Sequence, residues 1–178
     1  ITTLDGTIVS SPDLIDAAFV HYFEDLFGNS SDFIPEIDML NNIPLPTLST
    51  MQAALLVNQV TDEEIKNTLF AMNRKSCGGP DGFNVLFFVT CWDIVRLDFC
   101  KAVHNFFNKC TLLAEVNSTN IVLIPKVSDP SSVNSFRPIS CCNVVYKCIS
   151  KIIASRLMQV LPSIISHNQV AFLPNRSI

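Results

Sequence analysis

Two short stretches of this sequence read as β-strand, and they are close neighbours. "NIVLIPK" is a β-branched run ended by Pro125; "FRPIS" follows after the polar loop "VSDPSSVNS". Strands joined in this way pair as a hairpin, and the rest of the patterned sequence is helical. The core of such a chain must therefore form mainly between helices. The second strand also poses a chemical question. Arg137 lies between Phe136 and the pair Pro138-Ile139, and a guanidinium is costly to bury unless an anion meets it. A carboxylate of this chain, Asp129 or Asp81, would serve; so would a phosphate brought by a ligand. Lys126, just past the first strand, can reach the same side of the loop once the strands pair. A planar fork beside a point charge suits a polyphosphate.

Helical periodicity accounts for most of the remainder. "SPDLIDAAFVHYFEDLFG" has Ser11 as N-cap, Pro12 at the first helical position and Gly28 as the stop, which predicts an amphipathic helix over 11–28. From about 29 to 60 no period is sustained, and Pro35, Pro44 and Pro46 mark an irregular linker. "TDEEIKNTLFAMN" opens with Thr61 and Glu64 at capping-box spacing, with Ile65, Leu69 and Met72 as its apolar stripe. "SCGGPDGF" is turn chemistry, serving either as a plain turn or as a loop whose amides face phosphates. From Phe83 to about Cys110 the pattern is helical, with a break expected between Asp93 and Asp98 and Asp98 placed to cap the second half. The last helix is expected over about 142–161, with Val145, Ile149, Ile152, Ile153 and Leu157 inward and Lys147 and Lys151 on its outer face.

Composition narrows the class. A hydrophobic content of 48% is ample for a core. The longest apolar runs fall far short of the roughly 20 residues that span a bilayer, so no membrane segment is expected. Seven cysteines and three histidines show no zinc spacing; reduced, mostly buried thiols of an intracellular protein are the plain reading, with nucleus and cytoplasm not distinguished. The chain starts at Ile1 without a basic-then-apolar leader, as expected of a processed chain or a piece of something longer. No P-loop, G-x-S-x-G elbow or H-E-x-x-H occurs. Net charge is −4, but residues 1–72 carry eleven acids against Lys66, whereas residues 73–178 carry eleven bases against five acids. After Asp129 there is no acid. That asymmetry fits a polyanion-facing C-terminal part, or a surface solvated by scattered bases.

In order and wording, "TDEEIKNTLFAMNRKS", "GPDGF", "FFVTCWDIV", "FFNKCTLL", "VNSTNIVLIPKV", "FRPISCCNVVYKCISKIIASRL" and "QVAFLPNRSI" resemble the start of the reverse transcriptase of plant LINE-type (non-LTR) retrotransposons. The likeness runs from about residue 61 to the end. Residues 1–60 resemble the linker between endonuclease and polymerase. The resemblance implies a helix-rich α+β fold: the fingers portion of a right-hand polymerase with one β-hairpin, ending before the palm motifs. By position it implies that Arg137 meets the triphosphate of the incoming nucleotide and that Lys126 is a second nucleotide-binding cation. It implies nucleic-acid contacts for Gly79, Pro80, Asp81 and Gly82, for Lys147 and Lys151, and for Gln169, Phe172 and Arg176.

Two departures from the family pattern stand out. Cys77-Gly78-Gly79 is one residue longer than the usual Pro-Gly before Pro-Asp-Gly, and Arg96-Leu97 replaces a Gly-Pro helix break, so the flanking helices are expected to merge. The partners implied are an RNA template, a DNA primer, a deoxynucleoside triphosphate, and the palm and thumb of the same polyprotein, with no membrane. The aspartates that hold Mg²⁺ for two-metal phosphoryl transfer belong to palm motifs expected beyond Ile178. The chain is thus expected to hold no cofactor itself and to be inactive alone, contributing template and nucleotide binding. The alternative is a non-catalytic nucleic-acid-binding remnant, or a retroelement relic without function.

Overall fold

The computed structural model describes residues 1–28, 46–166, 168 and 169. They form a helix-rich α+β structure with one two-stranded antiparallel sheet. In chain order the elements are α1 (Pro12–Gly28), α2 (Thr50–Val57), α3 (Asp62–Phe70), α4 (Val85–Thr90), α5 (Trp92–Lys109), α6 (Ala114–Asn117), β1 (Thr119–Pro125), β2 (Phe136–Cys142) and α7 (Val144–Ile164). A turn of 3-10 helix, Val133–Ser135, precedes β2. The chain divides into two compact units, Ile1–Asn42 with Ile121–Ser140 and Ile43–Asn120 with Cys141–Ile178.

The second unit holds the main core. Ile65 and Leu69 of α3, Val85 of α4, Phe99 and Val103 of α5 and Val144, Cys148 and Ile152 of α7 are all buried in it. Each pair recurs three or four residues apart, which places it on one helix face. Trp92 closes one end, edge-on to Phe70 at 5.7 Å between ring centroids. Cys148 behaves as a small hydrophobe, and burial pushes its thiol up to about 12. It also corrects the expected stripe of α7. Val144, Cys148 and Ile152 are buried, whereas Ile153 and Leu157 remain 38% and 37% exposed. Counting the cysteine as apolar rotates the buried face by about one residue. The thiols as a set are less buried than expected: Cys100 and Cys148 are buried, but Cys77 and Cys110 are exposed.

Two other boundaries differ from expectation. The helical run after Phe83 breaks at Cys91 rather than between Asp93 and Asp98, because Asn84 starts α4 by accepting the Phe87 amide at 3.0 Å and the short helix closes at Cys91. Asp93 then lies in the first turn of α5, where the helix dipole favours an acid. Asp98 is inside α5, which runs unbroken through Arg96 and Leu97. Part of the segment read as irregular linker is α2, which starts with a complete capping box. The Ser49 amide donates to Gln52 Oε1 at 2.9 Å and the Gln52 amide to Ser49 Oγ at 3.2 Å.

At α3 the capping box is only half used. The Glu64 amide donates to Thr61 Oγ1 at 3.1 Å, but the Glu64 carboxylate turns away to Arg156 of α7. Arg156 donates from Nε to Oε1 at 2.9 Å and from Nη2 to Oε2 at 2.7 Å. Its Nη1 reaches the Asn58 and Leu56 carbonyls at the end of α2, at 2.6 and 3.3 Å. One guanidinium, 11% exposed, therefore joins three helices. The hydrogen bond to Glu64 raises its pKa further.

In the first unit α1 packs its Phe19 edge-on to Phe136 of β2, with ring centroids 5.1 Å apart, and buries Phe23. The N-terminal segment bonds to the hairpin loop: the Thr2 amide donates to Ser131 O at 2.7 Å and the Val133 amide to Thr2 O at 3.1 Å. No helix among the described residues is long and apolar enough to cross a membrane.

Candidate nucleic-acid interface

The hairpin register follows from its closing bond. The Lys126 amide donates to the Ser135 carbonyl at 2.8 Å, and two seven-residue strands follow back from it. Leu123 therefore lies opposite Pro138, and Ile124 opposite Arg137. Because side chains alternate, Ile121, Leu123, Phe136 and Pro138 share the face toward α1. There Ile121 and Leu123 line an apolar cleft with Phe19, Val20, Phe23 and Phe27. Arg137 falls on the other face with Val122, Ile124 and Ile139, which stay 48%, 46% and 42% exposed.

Arg137 is exposed, and among the described residues its side chain makes no ion pair or hydrogen bond. The two options left open by the sequence are thereby separated on one side: no carboxylate of the described chain neutralises it. Lys126 has the same strand parity, so the pairing does put both cations on one face. Its ammonium, however, donates to the Asn134 carbonyl at 2.7 Å and helps close the loop.

The GGPDG turn is tightly held from within. Asp81 Oδ1 accepts the Phe83 amide at 3.0 Å, and the Gly82 amide donates to Gly79 O at 3.0 Å. The Asp81 amide donates to Asn143 Oδ1 at 3.2 Å. The amides of 81, 82 and 83 are thus engaged, as a plain turn would have them. Pro80, Asp81 and Gly82 remain exposed, and Gly82 has φ +77°, which a glycine adopts without strain. Gly79 is buried for a different reason. A Cβ there would run into Asn143 and come within 2.6 Å of the Cys142 carbonyl carbon.

Lys147 and Lys151, one turn apart on α7, differ in exposure and partners. Lys147 is half-buried and donates to the Cys77 carbonyl at 2.6 Å. Lys151 is exposed and lines a polar groove with Glu63, Asn67 and Ser155. Gln169 is exposed and its amide donates to Ser166 O at 3.1 Å; Phe172 and Arg176 lie outside the described residues. Among the described residues no group of three or more His, Cys, Asp or Glu is placed to hold a metal ion. Sequence reasoning missed Asn143 and Arg156. Both act through partners distant in the chain; only their polarity within an apolar helix region could have drawn attention.

Residues 124–178 match the reverse transcriptase (RNA-dependent DNA polymerase) family. The matched segment starts inside β1 and takes in β2 and α7, so Lys126, Arg137, Lys147 and Lys151 all fall within it. Over this segment the chain is similar to reverse transcriptases. Over 174 residues, 98% of its length, the chain is 28% identical to the Transposon TX1 uncharacterized 149 kDa protein of Xenopus laevis. It spans 13% of that relative. The chain is thus similar to this transposon protein along nearly all of its own length.

Proposed function

We propose that this chain supplies template and nucleotide contacts in RNA-directed DNA synthesis, as the fingers part of a LINE-type reverse transcriptase. The observation that carries this is Arg137: an exposed guanidinium with no ion pair or hydrogen bond from its side chain among the described residues, on a hairpin inside the matched family segment. A cation so placed is available to phosphate, and its planar fork suits a triphosphate. Lys126 steadies the loop that carries it. Pro80, Asp81, Gly82 and Lys151 offer exposed contacts to template or primer, and Lys147 holds the turn that presents the first three. Gln169, Phe172 and Arg176 are further candidate contacts to nucleic acid in this reading. The plant origin and the division into a linker over 1–60 and a polymerase part over 61–178 rest on the motif wording alone.

Mg²⁺ belongs to palm aspartates in this proposal, since the sequence has no acid after Asp129. When bound there it would activate and orient the reacting oxygens. The residues of this chain bind and orient, and the chain alone extends no primer.

Titration of a fluorescent RNA–DNA primer–template with the whole chain at rising salt tests this. Binding should be weak and fall steeply with salt, log K dropping by about 0.9 per phosphate contacted for each tenfold rise. Salt-independent binding, or primer extension by the pure chain that a chelator abolishes, would contradict the proposal.

A further inference from the structure

Asn143 is the buried polar side chain of the described core, 4% exposed. It stands at the N-cap position of α7 yet makes no side-chain cap to that helix. Its amide is committed elsewhere. Oδ1 accepts the Asp81 amide at 3.2 Å, while Nδ2 donates to the Glu115 and Val116 carbonyls at 2.9 and 3.2 Å. Those carbonyls lie in α6, which leads into β1, and Asn143 itself follows β2. One side chain thus links the segment entering the hairpin, the segment leaving it and the GGPDG turn.

We propose that Asn143 is a positioning residue for nucleic-acid binding, fixing the GGPDG turn against both ends of the hairpin. This rests on the function proposed above. The chemistry is specific to a neutral amide, which offers an acceptor and two donors from one planar group. Aspartate keeps the acceptor and loses the donors, and serine is too short to reach three partners. The absence of a side chain at Gly79 makes room for the amide. One turn further along α7, Lys147 ties down the Cys77 carbonyl. The start of α7 therefore holds the turn at two points. Releasing the Asn143 contact should let Pro80, Asp81 and Gly82 move away from their place beside the hairpin base.

The test uses the whole chain and a 5′-fluorescein RNA annealed to a DNA primer. Binding is measured at a temperature where Asn143→Asp is folded by circular dichroism, beside Val103→Ala as an equally folded but destabilised core control. Asn143→Asp should bind about five- to tenfold more weakly, with faster amide exchange across residues 77–83, while the control binds as the wild type does. If Asn143→Asp does not fold, Asn143→Ser takes its place with the same expected results. Wild-type affinity in the folded variant overturns the inference alone. Absence of binding by the wild-type chain overturns the proposed function and this inference with it.

Discussion

Gly79→Ala should destabilise the fold by about 3 kcal/mol or more, although it adds a single methyl group. Overpacking a tight site costs roughly 1–3 kcal/mol where side chains can shift. Here the obstacles are the backbone and the amide of Asn143 together with the Cys142 carbonyl carbon at 2.6 Å, which cannot give way independently. Gly82→Ala is the natural comparison. Its Cβ would meet nothing within 4 Å, but its φ of +77° is strained for any other residue, a cost of about 1–2 kcal/mol. Urea unfolding of the two variants separates steric from conformational need. Equal losses would show that the Gly79–Asn143 contact is not as tight as described.

Arg156→Met should cost about 3 kcal/mol. The change keeps much of the apolar stem but removes two charged bonds to Glu64 and two to the carbonyls ending α2. Truncating one partner of a buried ion pair typically costs 3–5 kcal/mol, and the 31% exposure of Glu64 places this case at the low end, because the stranded carboxylate regains water. A double-mutant cycle with Glu64→Gln should return a coupling of about 1–3 kcal/mol. Coupling near zero would reduce Arg156 to an ordinary surface base.

These two sites mark where the sequence ceased to be legible. Local pattern was enough for the hairpin, since β-branched residues, a terminating proline and a polar loop are all neighbours in the chain. It was enough for α3 and most of α7, whose apolar spacing is regular. The short helix α2 was missed although Ser49 and Gln52 carry a capping box, because prolines around it suggested irregular chain. The shift in the α7 stripe turned on whether a cysteine counts as apolar. Asn143 and Arg156 defied local reading altogether, since their partners lie up to 62 and 100 residues away. The charge asymmetry was real, but its boundary near residue 72 is not a structural one. Ile65 and Leu69 lie before it and are fully buried in the core, so a chain cut there would lose its fold along with its acids. Two of the bases behind it, Lys147 and Arg156, are engaged internally.

Arg137 is among the bases that stay exposed, and the central claim is that its partner is a phosphate. Arg137→Lys keeps the charge and loses the fork. In a chain extended with a matching palm, nucleotide use should fall about ten- to hundredfold, since a charged hydrogen bond contributes about 1.5–3 kcal/mol. The melting temperature should stay unchanged, because the side chain is exposed and makes no ion pair among the described residues. A nucleotide titration and a melting curve on this one variant decide the matter. Weakened nucleotide use in an equally stable protein is the predicted result; normal use in a destabilised protein would make Arg137 part of the scaffold.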